Sequence, residues 1–313
     1  MFDGKGVISL NEDYLDFSFD KCDDKWTIMM PKGSVRFTTF DVGDEKAGPT
    51  VLFGYLDNSS DEVIPWDRVD PYHYHGSDHF RAVCKGNYLL TDGQNDKRMR
   101  SGDFHFQNAG VLYREIPEED TCVWLMHVVG DRRGIRATIP SKSDREKLIY
   151  SGNPNDKPLG DDENYPDGIP RKGIPAIKST LGSCNKDGYL DGSFDKLTGT
   201  QKTYNEGKVD WGYFGDSQRG PLSVLVNFNS NSTVSGESIC NTERVIFVVG
   251  GSCLIGKTNY ESGSIRIQSA GSTLPSITAG KSGVKLAILI ADRRAIVESP
   301  PSDGAGMDWD FSL

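Results

Sequence analysis

The chain has little that would take it out of water. No apolar run approaches the roughly 18 residues a spanning helix needs. Its first residues, MFDGKGVISLNEDYLDF, carry neither a basic leader nor an apolar stretch, so no secretory signal is expected. Basic residues are in deficit, 35 against 45 acidic ones, for a formal charge of −10. A surface of that sign repels phosphate backbones and anionic headgroups, which excludes nucleic acid and membrane as expected partners. The six cysteines (Cys22, Cys84, Cys122, Cys184, Cys240, Cys253) include no C-x-x-C pair. Without an export signal they read as reduced thiols in the cytoplasm. Helical periodicity is scarce, Ser141–Tyr150 being the best candidate. There is no G-x-S-x-G nucleophile elbow and no phosphate loop around Gly250-Gly251.

What is present is mostly strand. Thr50–Tyr55, Phe80–Cys84, Val123–Val129, Ser223–Phe228, Val245–Val249 and Val284–Ile290 are rich in β-branched and aromatic residues, and 35 glycines and 15 prolines help punctuate the chain. Short strands with frequent turns predict an all-β sandwich or barrel architecture. With 313 residues, two domains of ordinary size are expected.

Three segments recur in the same order at nearly constant separation. Gly48-Pro49 before Thr50–Phe53 resembles Gly220-Pro221 before Leu222–Leu225. Phe80–Lys85 ending at Gly86 resembles Arg244–Val249 ending at Gly250. Asp131-Arg132-Arg133 closes one apolar strand and Asp292-Arg293-Arg294 another. Three matches in register indicate an internal duplication. The expected division is a first barrel in 1–150, a connecting segment in 151–208, a second barrel in 209–297 and a tail in 298–313. The connecting segment is too long for a bare loop and is expected to wrap a barrel or add edge strands.

Histidine is scarce, five residues, all in the first half: His73, His75, His79, His105 and His127. An H-x-H pair in a strand puts both imidazoles on one face. Imidazoles arriving from several strands are what a Zn- or Fe-type ion wants. The spacing His73-x-His75-x3-His79-x6-Gly86, followed by Gly102-x2-His105, resembles the two motifs of the cupin superfamily. It departs at His79, where those proteins usually carry Glu. The resemblance implies two jelly-roll barrels in tandem, a bicupin. His73, His75, His79 and His105 would hold one divalent transition metal, Fe(II) in preference to Zn, Ni or Mn. In the second copy Glu243-x6-Gly250 keeps the frame, while Glu237, Ile239 and Leu274 stand at the histidine positions, so that barrel is expected to be metal-free.

If His79 points inward, Arg81 and Val83 do too, and Phe80 and Ala82 point outward. Arg81 is then a candidate to grip a substrate carboxylate, its alternative being a salt bridge. Gln107 and Asp103 share the face of His105 and are candidates to orient ligands from behind it. On Val123–Val129 either face could be interior, so His127 is either a pocket acid/base or a packed structural residue. The partial calcium pattern Asn185-x-Asp187-Gly188-x2-Asp191 lacks the closing Glu. The expected function is a metal-dependent enzyme acting on a small, oxygenated, anionic compound, foremost a non-haem Fe(II) dioxygenase. The alternatives are a non-redox isomerase, lyase or cyclase using the metal as Lewis acid, or a non-catalytic small-molecule binder. Assembly as a homodimer is left open.

Overall fold

The computed structural model describes residues 9–10, 12–19, 28–29, 35–58, 70–93, 95–119, 121–137, 139, 177–199, 207–216, 218–295 and 297–298. Ser141–Tyr150, Cys22 and the tail from 299 lie outside these. Among the described residues the elements are strands and short 3-10 turns, and no helix is long and apolar enough to cross a membrane. Cys84, Cys122, Cys184, Cys240 and Cys253 are free thiols.

Two barrels of the same plan account for these strands. In the first, a sheet runs in the order Tyr189–Ser193, Asp103–Gln107, His79–Lys85, Cys122–Val129, Thr50–Asp57, Val35–Asp41, Ile28–Met29. A sheet of Arg114–Pro117, Asn87–Thr91 and Asp96–Arg100 covers it. In the second, the corresponding path is Tyr14–Ser18, Ser264–Gln268, Arg244–Ile255, Ile277–Ile290, Leu222–Phe228, Gly207–Tyr213. Every pairing is antiparallel.

Two strands cross the boundaries expected from chain position. Tyr14–Ser18 pairs with Ser264–Gln268 of the second barrel, and Tyr189–Ser193 of the connecting segment pairs with Asp103–Gln107 of the first. Each covers a sheet edge that would otherwise expose unpaired backbone groups. Asp16 anchors the first crossing. Its carboxylate accepts from Arg266 Nε at 2.9 Å and Nη2 at 3.1 Å, and from the Tyr260 hydroxyl at 2.8 Å. Asp16→Ala is expected to cost about 1.5–3 kcal/mol, the usual range for hydrogen bonds to a charged group, as a drop in the urea midpoint.

The repeated segments meet in space, which explains why they recur together. The Arg132 backbone N–H donates to Gly48 O and its Nη2 to Val42 O. Arg293 repeats this toward Gly220 O and Phe214 O. Each arginine thus ties the end of its closing strand to its own Gly-Pro turn.

Strand alternation sorts the core into layers. Phe80 and Ala82 point away from the first barrel's interior and join Phe53, Val245, Phe247 and Leu289 in an apolar layer between the barrels. Phe53 and Phe247 ring centroids stand 6.0 Å apart there. Val83, Val123 and Leu125 face the first barrel's interior with Tyr88 and Tyr113. Because Cys122–Val129 is buried on both faces along most of its length, its sequence could not say which face is inside.

Register corrects the alignment of the two copies by one residue. His79 pairs with Gln107 and Val129, and Arg244 pairs with Gln268 and Ile290. Arg244, not Glu243, therefore takes His79's place, and Gly251, not Gly250, takes that of Gly86. Both glycines have left-handed φ, 78° and 73°. A Cβ on either would meet a carbonyl oxygen, Cys122 O at 2.3 Å or Gly283 O at 2.2 Å. By the same frame, Ser238 and Cys240 correspond to His73 and His75, correcting Glu237 and Ile239.

Candidate functional site

The site lies inside the first barrel, on the face its sheet turns away from the second. His79 and Arg81 come from one strand, His105 and Gln107 from the next, and His127 from the other side, with Arg81 opposite both His105 and His127. His79, Arg81 and His105 are fully buried, and His127 nearly so. The same alternation that sends Phe80 into the inter-barrel layer delivers these side chains to the interior. His127 is thereby placed on the interior side of the first barrel.

Four imidazoles stand in a row. Ring centroids are 5.1 Å apart for His73 and His75, 4.5 Å for His75 and His79, and 4.7 Å for His79 and His127. His127 Nε2 lies 2.9 Å from His79 Nδ1. His105 is not in the row. Its Nδ1 is 2.6 Å from Asp191 Oδ1, its Nε2 is 3.3 Å from Gln107 Oε1, and its ring packs on Tyr189.

Tyr113 stands where a fourth ligand was expected. Its ring is 4.4 Å from that of His73 and 6.1 Å from those of His75 and His79, and its backbone bridges to His73. The signal was present in the sequence. Gly110-x2-Tyr113 repeats the Gly-x2 frame of Gly102-x2-His105, and Gly102…Gly110 matches Gly263…Gly271 in the second copy. The Ser238–Leu274 pair of the second barrel stands where His73 and Tyr113 pair in the first. The counterpart of Leu274 is thus Tyr113, and that of His105 is Arg266.

Arg81 fills the space beside the row. Its guanidinium carbon lies 4.4 Å over the Tyr113 ring. Nη1 donates to Gln107 Oε1 at 3.0 Å, and Nη2 lies 3.4 Å from His79 Nδ1. Nε stands 2.6 Å from Glu115 Oε1 in an ion pair. The carboxylate that Arg81 grips is therefore the protein's own, in a buried salt bridge. Asp103 serves elsewhere: its Oδ2 accepts from the Arg100 N–H in the preceding turn. Asn185 Oδ1 is taken by the Asp187 and Tyr189 amides, which leaves the partial calcium pattern as a turn.

Burial governs the electrostatics. It lowers the pKa of all five histidines, strongly for His75, His79 and His127, with Arg81 or a neighbouring imidazole adding to the effect for each of those three. Burial also raises Glu115, against the pull of Arg81, and raises Asp70 to about 7 against its backbone hydrogen bond from Glu115. The Arg81 pKa is raised despite burial, by Tyr113 and Glu115.

Neutral imidazoles are the protonation state a metal needs. His73 Nδ1 is 2.8 Å from Pro71 O and His75 Nδ1 is 2.7 Å from Ile135 O. A carbonyl only accepts, so each Nδ1 bears the proton and each Nε2 keeps its lone pair, as in metal-ligating histidines. His79 Nε2 is buried with no hydrogen-bond partner among the described residues. By donor chemistry His73 and His75 fit a divalent transition metal, and His79 joins them in the tautomer whose Nδ1–H donates to His127 Nε2, leaving its own Nε2 bare. Their geometry is adjacent but not convergent: among the described residues no three His, Cys, Asp or Glu side chains gather around one point.

The fold and the layout of its strands are of the bicupin type, two jelly rolls of one plan in one chain. Among solved structures, the chain is similar to a candidate dioxygenase from Nostoc punctiforme, at a TM-score of 0.54 and 13% identity, covering 93% of this chain and 88% of that one. It is also similar to a candidate glyoxylate-induced protein from Pseudomonas aeruginosa, at 0.50 and 12%, covering 93% and 91%. An oxalate decarboxylase matches at 0.50 and 13%, covering 93% and 80%. No family profile and no curated protein matches the sequence.

Proposed function

We propose that the first barrel is a metal-dependent enzyme site for a small, oxygenated, anionic organic compound. The observation that carries this is the buried, partnerless Nε2 of His79 at the middle of a row of neutral imidazoles. A polar atom left so costs about 1–3 kcal/mol, which a bound cation would offset. His73, His75 and His79 would hold the metal. When bound, it supplies a Lewis acid whose charge no ligand neutralises, suited to an anionic substrate. Pro71 O and Ile135 O orient the first two rings. Arg81, held by Glu115, Gln107 and Tyr113, fixes its guanidinium N–H groups beside them. Cupin-fold proteins described as a candidate dioxygenase and an oxalate decarboxylase support an oxygen-using or decarboxylating chemistry. The finer reading is a non-haem Fe(II) dioxygenase.

Elemental analysis of protein purified without chelator or added metal tests the site, and oxygen uptake with diketones and catechols tests the reaction. Stoichiometric metal is expected. His79→Gln should retain more of it than His75→Ala, because an amide oxygen can still ligate. Equal losses would move His79 out of the ligand set. A second reading, a metal-free binding pocket, is favoured by the Tyr113 ring lying against all three histidines. Metal-free protein with unaltered ligand binding in His75→Ala would establish it.

A further inference from the structure

The connecting segment does more than cover a sheet edge. Tyr189–Ser193 pairs with Asp103–Gln107 so that Asp191 stands opposite His105. Asp191 Oδ1 is 2.6 Å from His105 Nδ1, and its other oxygen is held by Lys97. The side chain of Asp191 is 17% exposed and that of His105 is 0%. The carboxylate thus sits at the barrel wall, between a half-exposed lysine and a buried imidazole. The His105 and Lys97 contacts keep the Asp191 carboxyl below the usual range against its burial.

We propose that Asp191 is a positioning residue that fixes His105 as the Nδ1–H tautomer, making its inward Nε2 the pocket's proton acceptor and not a metal ligand. An ionised carboxylate has only lone pairs to offer, so the proton between the two residues belongs to Nδ1 and the Nε2 lone pair faces the interior. What Nε2 meets there is Gln107 Oε1 at 3.3 Å. The amide is pinned in that orientation, since Oε1 accepts from Arg81 Nη1 and Nε2 donates to Val111 O. Two acceptors face each other across that gap until a proton arrives.

The arrangement is therefore ready for the charged imidazole. A proton leaves a substrate O–H, or a C–H next to a carbonyl, for His105 Nε2, and the bonding pair stays on the substrate. The new N–H has Gln107 Oε1 as acceptor, and the imidazolium charge lies against Asp191. The substrate class is an anion with an acidic hydroxyl or enolisable carbon, its developing charge near Arg81. This deepens the reading of the same pocket and rests on it for the presence of a reaction.

The test is nitrogen NMR of the full chain with labelled histidine. Wild-type His105 should show a single tautomer, Nδ1 protonated and Nε2 bare. Asp191→Ala should mix the tautomers, and Asp191→Asn, whose amide can donate to Nδ1, should shift the balance toward Nε2–H. The His127 signals should stay unchanged in both as a control on the fold. Nε2–H as the main wild-type form, or an unaltered tautomer in Asp191→Ala, would overturn the proposal, and the wild-type measurement needs no variant to fold. In metal analysis His105→Ala should match wild type while His75→Ala loses metal. Loss in His105→Ala would make it a ligand and also sink the idea. If wild type holds no metal, the metalloenzyme reading fails while the tautomer measurement still decides this one.

Discussion

Replacing Arg81 with alanine is expected to destabilise the protein by about 3–5 kcal/mol, the usual cost of removing one member of a buried ion pair. The side chain is fully buried, and its partner Glu115 is only 8% exposed. Truncation would strand that carboxylate in a site whose burial already raises its pKa. It would also leave Gln107 Oε1 without its donor and Tyr113 without its stacked cation. The double variant Arg81→Met with Glu115→Gln removes both charges, and most of the loss should return. Urea denaturation of wild type, single and double variants measures this. A single variant within about 1 kcal/mol of wild type would mean that the pair contributes no more than a surface one.

Acid should destabilise the protein. All five histidines have folded pKa values below the ordinary 6.5. They stay neutral in the fold, whereas the unfolded chain takes up protons as pH drops through that value. Their contribution is present above pH 6.5 and is lost as pH falls toward the depressed folded values. Asp70, raised to about 7, and Glu115, also raised, act in the opposite sense. Their protons are held by the fold, so they weaken it as pH rises from the ordinary carboxylate range toward 7. Five lowered groups, three of them strongly, outweigh two raised ones, so the unfolded chain binds more protons and stability should fall as pH drops from 7 to 5. Urea midpoints measured from pH 7 to pH 5 check this. A flat profile would mean that the imidazoles are hydrated and the row is open to solvent.

Much of the architecture was legible in the chain. Period-2 alternation placed His79, Arg81 and Val83 on one side and Phe80 and Ala82 on the other, because side chains leave a strand alternately whatever the context. The recurrence of Gly-Pro turns and Asp-Arg-Arg endings marked two copies of one plan, since each arginine must reach its own turn. His127 was harder: Val123, Leu125 and His127 alternate with Trp124 and Met126, and both faces are greasy enough to be buried. Only the packing of Met126 and Val128 against the second barrel decided that His127 looks inward.

Spacing along a strand reports which side chains share a face, and nothing about which distant residue closes the space between them. Hydrophobic alternation and turn chemistry, both local, determined the two all-β barrels and the stripe that carries His73, His75 and His79. Antiparallel pairing between segments far apart in sequence decided the rest. It set Tyr113 against the histidines in place of His105, and gave Arg81 to Glu115. It also brought Asp191, 86 positions away in sequence, onto the His105 ring. Register is a property of two strands at once, and no single stretch of sequence contains it.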